Sequence, residues 1–357
     1  MPLWVLQYAG ALPAMVLRGP AWHGHEMLFG FAFAVVAGFL FTAVRNWSQR
    51  DTPTGAALAA IALLWIAGRV LVFTPFTLTA AAVNALFPLA VAVGIGVPLF
   101  ASGNRRNYFF VALLVAASAA VLAFHLAGAG IVAGSGRVGL QAGLDIVLFI
   151  VAVIAGRVIP MFTNNGVPGA GASRKPWIEK AALGSLLGLL AFDVAGVGGT
   201  PLALLALAAA VAHAARLWLW RPWRTLGTPL VWVLHAAYAW VVVHLALRGL
   251  AAWGVVGEPL AIHALTIGVI GGMTLGMMTR TARGHTGRAL EADGYEVAGY
   301  VLVQLAALTR VVGGLSASSL YLETVVASGL LWSAAFALYF VRYWPVLTRA
   351  RVDGKPG

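Results

Sequence analysis

Eight histidines stand in a chain of 357 residues that is otherwise 61% apolar and only 10% charged. Most of them fall inside or at the ends of segments apolar enough to lie in lipid. An imidazole costs free energy in hydrocarbon unless it is paired, and it is the commonest protein ligand for transition metals. Histidines placed this way point to metal or haem ligation. The densest set is Trp22-His23-Gly24-His25-Glu26-Met27, which puts two imidazoles and a carboxylate at the start of a long apolar run. Glu26 is placed to orient one imidazole or to relay protons. His263 opens a second such run. His285 lies in the polar stretch Arg283-Gly284-His285-Thr286-Gly287-Arg288, where the plainer reading is a basic loop facing lipid headgroups. For His125 and His244 the plainer reading is a single imidazole bonded to backbone or water.

The chain has no cysteine. That excludes a disulfide framework, thiolate metal sites and c-type haem attachment, so any metal must use His, carboxylate, Met or backbone oxygen. The formal net charge of +12 is spread over single Lys and Arg residues between apolar stretches. This suits loops facing anionic lipid and argues against nucleic acid. Residues 1–17 are apolar without a basic start, so no cleavable signal peptide is expected.

The elements that must position the histidines are membrane helices, since a span needs about 20 mostly apolar residues. The expected spans lie near 26–44, 55–74, 77–101, 107–127, 138–160, 178–197, 200–220, 229–253, 258–282, 294–315 and 319–341, with a short extra helix over 3–17 broken by Pro13. No connection is long enough for a soluble domain, and no sequence repeat stands out. The fold class expected is an all-α polytopic transmembrane bundle of 11–12 spans, forming one integral-membrane domain over residues 1–357. Gly268, Gly272 and Gly276 recur every four residues and form a face for close helix approach.

Alternating sides from the first span puts all of the 23 Lys and Arg on one side except Arg18, Arg69, Arg137, Arg248 and Arg310. Such a bias assigns the favoured side to the cytoplasm, with residues 342–357 on that side and His23 and His25 on the opposite, outer side. His125, His244 and His263 then belong to the outer half, and His213 and His235 to the inner half. His235 and His244 sit about 900° apart on one helix and face opposite ways. His23 and His25 converge only if they lie outside a regular helix. Arg69 and Arg157 lie near the ends of their spans. Each either snorkels to headgroups or holds a haem propionate. Asp145, Asp193 and Glu323 are outer-half carboxylates that suit proton delivery from that side.

The stretches Trp22 to Gly30, Gly38 to Val44, Gly156 to Gly166, Arg221-Pro222-Trp223-Arg224 and His263 to Met278, running on to Arg280 and to Gly284 through Arg288, resemble the NnrS family of membrane proteins. The resemblance runs from about residue 20 to 341. It implies a multi-pass protein of the bacterial inner membrane with about twelve spans, haem b and copper, linked to nitric oxide metabolism, denitrification and nitrosative-stress resistance. Residues 1–17 are short for the family's first span, and Arg45 stands where proline is expected. Matched motif by motif, the family's histidines fall on His23, His25, His213, His235, His263 and His285. The expected assignment puts His23, His25 and His263 on an outer metal. It puts His213 and His235 on a haem, with His285 completing the inner site and Arg69, Arg157, Arg216 and Arg280 as propionate partners. The first functional reading is a nitric oxide reductase-type oxidoreductase fed by an unknown electron donor. The alternatives are a nitric oxide or metal binding or sensing protein without turnover, and a copper or haem transporter.

Overall fold

The computed structural model describes residues 1–12, 19–133, 136–315 and 320–354. In hydrocarbon every backbone N–H and C=O must be satisfied within the protein, and a helix does this inside each segment. The described residues accordingly form helices and no strands. In chain order these are α1 (Pro2–Tyr8), α2 (Gly19–His25), α3 (Phe33–Ser48), α4 (Gly55–Leu71), α5 (Thr77–Ala101), α6 (Phe109–Gly128), α7 (Arg137–Gly166), α8 (Pro176–Ala195), α9 (Gly199–Leu219), α10 (Pro229–Ala252), α11 (Glu258–His263), α12 (Gly272–His285), α13 (Gly294–Leu315) and α14 (Tyr321–Leu347). Two wide π-helical segments, Glu26–Ala32 and Ala264–Gly271, join α2 to α3 and α11 to α12 into continuous rods.

Nine of these rods are long and apolar enough to cross a membrane among the described residues. Every expected span meets a helix. Two miss the span criterion for visible reasons. Gly55–Leu71 is only 17 residues long, and Pro176–Ala195 carries Glu179, Lys180 and Asp193. The first span starts at Gly19 rather than near residue 26, because the histidine stretch is itself helical. Of the extra N-terminal helix the described residues show Pro2–Tyr8, and Pro13 lies outside them.

The chain divides into two compact units. The N-terminal unit holds Leu12–Ile150 with Asp193–Ala195, and the C-terminal unit holds Met1–Ala11, Val151–Phe192 and Gly196–Gly357. Within the N-terminal unit α5 is the hub, packing on α3, α4 and α6. Within the C-terminal unit α9 packs on α10, α13 on α14, and α10 runs along α11, its π-helical extension and α12. The glycine face expected at Gly268, Gly272 and Gly276 is real. A Cβ on Gly268 would run into the Trp240 ring, one on Gly272 would meet Ala237 at 2.8 Å, and one on Gly276 would meet Leu234 at 2.9 Å. All three neighbours lie on α10. Gly272→Leu should therefore cost about 1–3 kcal/mol by overpacking. The thermal midpoint in detergent checks this, and an unchanged midpoint would show that α10 has room to yield.

Candidate functional site

His25 ends α2 and is buried. Its Nδ1–H donates to Glu26 Oε1 at 2.8 Å. That hydrogen bond fixes the tautomer and turns the Nε2 lone pair outward, the arrangement that metal-ligating histidines adopt. Nε2 of His25 lies 3.0 Å from Nε2 of His125, at the end of α6. The two rings meet edge to face, with centroids 4.8 Å apart. Phe29 and Phe124 pack against the His25 ring and keep the pair in an apolar setting.

Glu26 is itself held. Arg69 Nη1 donates to its Oε1 at 2.9 Å, and Arg69 Nη2 donates to Asn84 Oδ1. Asn84 in turn donates through Nδ2 to the Ala80 carbonyl at 2.8 Å and the Gly68 carbonyl at 3.3 Å. The result is one chain of bonds from α5 through α4 to the two imidazoles, all inside the N-terminal unit. The wide π turn makes room for it. Gly30 has no side chain because a Cβ there would run into the Arg69 guanidinium. The Glu26 carboxylate and Arg69 guanidinium balance each other, so His25 offers a neutral, polarised lone pair rather than a second buried charge.

The sequence-derived roles change accordingly. His125 is not a lone interfacial imidazole but the partner of His25. His23 sits half-buried on the same helix as His25. Two steps on a helix turn it about 200° from His25, so the two cannot converge. Arg69 does not snorkel: its guanidinium spans Glu26 and Asn84, and its Nε is buried without a hydrogen-bond partner. His263 belongs to the C-terminal unit, where its Nδ1–H donates to the Pro259 carbonyl at 2.6 Å and leaves Nε2 as the lone-pair nitrogen. His244 likewise donates Nδ1–H to a carbonyl, that of Ala261, at 2.8 Å.

A second polar cluster lies buried in the C-terminal unit. Arg216 donates through Nε and Nη2 to the two oxygens of Glu179 at 2.9 and 2.6 Å. Its Nη1 donates to the Ala152 carbonyl and to the Tyr238 hydroxyl, each at 2.8 Å. The guanidinium also lies over the Trp220 ring, and a Cβ on Gly156 would collide with it. His213 completes the set. A carbonyl can only accept, so Nε2–H donates to Ala182 O at 3.1 Å, and Nδ1 accepts from the Tyr238 hydroxyl at 2.6 Å. Thr163 donates to the Ile159 carbonyl at 2.8 Å and accepts from His235 Nε2–H at 2.8 Å. That leaves Nδ1 of His235 buried without a hydrogen-bond partner.

These bonds decide how well each cofactor fits. A bis-imidazole haem on His213 and His235 needs a lone pair on both residues, and His213 has neither nitrogen free. Trp220 and Tyr238, both fully buried, pack beside the two rings where a porphyrin would have to slot. Arg216 already spends four of its five N–H groups on Glu179, Ala152 and Tyr238. Arg280 stacks its guanidinium 3.7 Å from the Phe162 ring centroid, Arg157 is half-buried on α7, and His285 is exposed with its carbonyl bonded to Arg351. The inner donor set does not fit haem as folded. The His25–His125 pair does fit copper. Two nitrogens each about 2.0 Å from one first-row ion at a near-tetrahedral angle lie about 3.3 Å apart, close to the 3.0 Å found. Imidazole is also a ligand that copper accepts. No group of three or more His, Asp and Glu residues is placed to hold a metal among the described residues, so the pair stands as a two-imidazole nucleus.

Both π-helical segments begin on the residue after a histidine, His25 in one unit and His263 in the other. The spans also share a spacing. His25, Gly30, Gly38 and Arg45 recur at the same offsets as His263, Gly268, Gly276 and Arg283. π-turns inside α-helices are rare and cluster at functional positions. Sequence reasoning found no repeat and missed this local one, because four matched positions in a long apolar span carry little signal.

No curated protein matches the chain in sequence. The family model described as NnrS protein matches residues 1–351. With an all-α fold of apolar rods and a match over nearly its whole length, the chain belongs to the NnrS family and is a nitric-oxide-related membrane protein.

Proposed function

We propose that this chain holds copper between Nε2 of His25 and Nε2 of His125 and that this centre meets nitric oxide. The observation that supports the reading is the pair of imidazole nitrogens 3.0 Å apart, one of them oriented by Glu26. Nitric oxide is small and uncharged, so it reaches such a site through the bilayer. Copper bound there supplies one-electron redox chemistry and an affinity for nitric oxide.

The protein's own part is positioning. Glu26 holds the His25 tautomer, Arg69 neutralises Glu26, and Asn84 anchors Arg69. Oε1 of Glu26 accepts from both His25 and Arg69, which makes it an orienting group more than a proton carrier. Asp145 is buried on α7 and accepts from Gln141, while Glu323 is exposed at the start of α14. Reduction of two nitric oxide molecules to nitrous oxide and water takes two electrons and two protons, and an external donor has to supply the electrons.

The test is copper per protein, by elemental mass spectrometry, in the purified full-length chain and in His25→Ala and His125→Ala. The wild type should carry copper that a chelator removes, and each variant should lose it. Full retention in both variants would refute the assignment. Anaerobic nitric oxide consumption with a chemical reductant then separates a reductase from a protein that binds nitric oxide without turnover.

A further inference from the structure

The end of the C-terminal unit where α12 and α14 finish forms an open cavity of about 510 Å³. Arg283, Arg288, Arg342 and Arg349 line it. Two of them have carboxylate partners. Arg283 bonds Glu296 at 2.8 Å, and Arg342 bonds Asp293. Among the described residues the other two have none. Arg349 is exposed and makes no ion pair among the described residues, and Arg288 has an Nη1 that is buried without a hydrogen-bond partner. Asp353, whose side chain lies against Gly287, is held by both Nε and Nη2 of Arg351.

The loop that carries Arg288 is braced. Arg288 N donates to the Arg283 carbonyl at 2.9 Å, Val352 N to the Thr286 carbonyl at 3.2 Å, and Arg351 Nη1 to the His285 carbonyl at 2.7 Å. Gly287 turns the chain at φ +75°, a conformation that a side chain would strain. The backbone that carries Arg288 is therefore held in place before any ligand arrives. A buried guanidinium N–H without an acceptor is costly, and one of the ligands that guanidinium groups match best is a phosphate, with negative charge spread over its oxygens.

We propose that this cavity binds a phosphate group through Arg288 and Arg349, a site separate from the imidazole pair. The basic-residue bias assigns this end to the cytoplasm, where both free phosphate and the phosphodiester of an anionic lipid headgroup are at hand. The chemistry recognised is the same in the two cases.

The experiment uses the full-length protein in detergent, with Arg288→Gln, Arg349→Gln and the control Arg105→Gln/Arg106→Gln, which removes two exposed arginines from a loop of the N-terminal unit. Inorganic phosphate is titrated by calorimetry, and retained phosphatidylglycerol is followed by native mass spectrometry. Each single variant should bind the effective probe about tenfold more weakly, the loss expected for one charge-assisted bond. Arg349 is exposed, so its variant separates lost binding from misfolding. Binding of phosphate that the variants lose identifies a soluble ligand, whereas phosphatidylglycerol retention that the variants lose identifies the headgroup. The proposal is overturned if the wild type binds neither, or if the control pair loses as much as the single variants.

Discussion

Arg216→Met is expected to destabilise the protein by about 3–5 kcal/mol, the range for removing one partner of a buried ion pair. The guanidinium is 1% exposed and carries four hydrogen bonds, two of them to Glu179. Without it, the Glu179 carboxylate is left in an apolar setting with only Arg174, which is 42% exposed, as a partner. Glu179→Gln/Arg216→Met removes both charges and should recover part of the loss, because the penalty comes from the stranded carboxylate more than from the missing contact. Thermal unfolding in detergent reads both. A single variant as stable as wild type would show that water reaches Glu179.

Arg69→Met should weaken copper binding by about 10–100-fold with His25 and His125 intact, as loss of an outer hydrogen-bonding partner typically does. Arg69 touches no proposed ligand. It acts on Glu26, and Glu26 acts on the Nδ1–H of His25. Glu26→Gln should fall in the same range, and Arg69→Lys should restore part of the affinity because the charge survives. The decisive readout is the electron paramagnetic resonance spectrum of the cupric form. A positioning role changes the nitrogen hyperfine pattern even at saturating copper, whereas a purely structural role lowers yield and leaves the spectrum alone. Unchanged affinity and spectrum in both Arg69→Met and Glu26→Gln would remove these residues from the site.

Much of the architecture was legible because hydrocarbon leaves few choices. Apolar runs bounded by Pro, Gly and basic residues located the helices, and the Gly268, Gly272 and Gly276 periodicity named the face that α10 covers. Charge inside a run hid more. Glu179, Lys180 and Asp193 make α8 a poor span by composition, and only the fold shows that Arg216 on α9 answers Glu179. The site was half legible. Glu26 beside His25 was visible as an orienting carboxylate. His125 was not visible as its partner, since a hundred positions of chain separate the two and no local spacing connects them. Asn84, Thr163 and Tyr238 were missed for the same reason. A single polar residue in a helix signals a need for a partner but does not name it. The wide turns were also unreadable, and they undo any reckoning of faces by constant 100° steps through His25 and His263.

The π-helical stretch after His25 does one thing more. Its Gly30 carbonyl accepts from the Trp65 indole N–H at 2.9 Å. Trp65 and Arg69 lie one turn apart on α4, and the groups they grip, Gly30 and Glu26, lie the same four residues apart on the first span. Two rivets at matched intervals stop either rod from rolling or sliding against the other. Were copper held by His25 and His125, a donor atom backed by such a frame would stay in place as the ion gained or lost an electron. The scaffold would then limit the reorganisation that slows electron transfer.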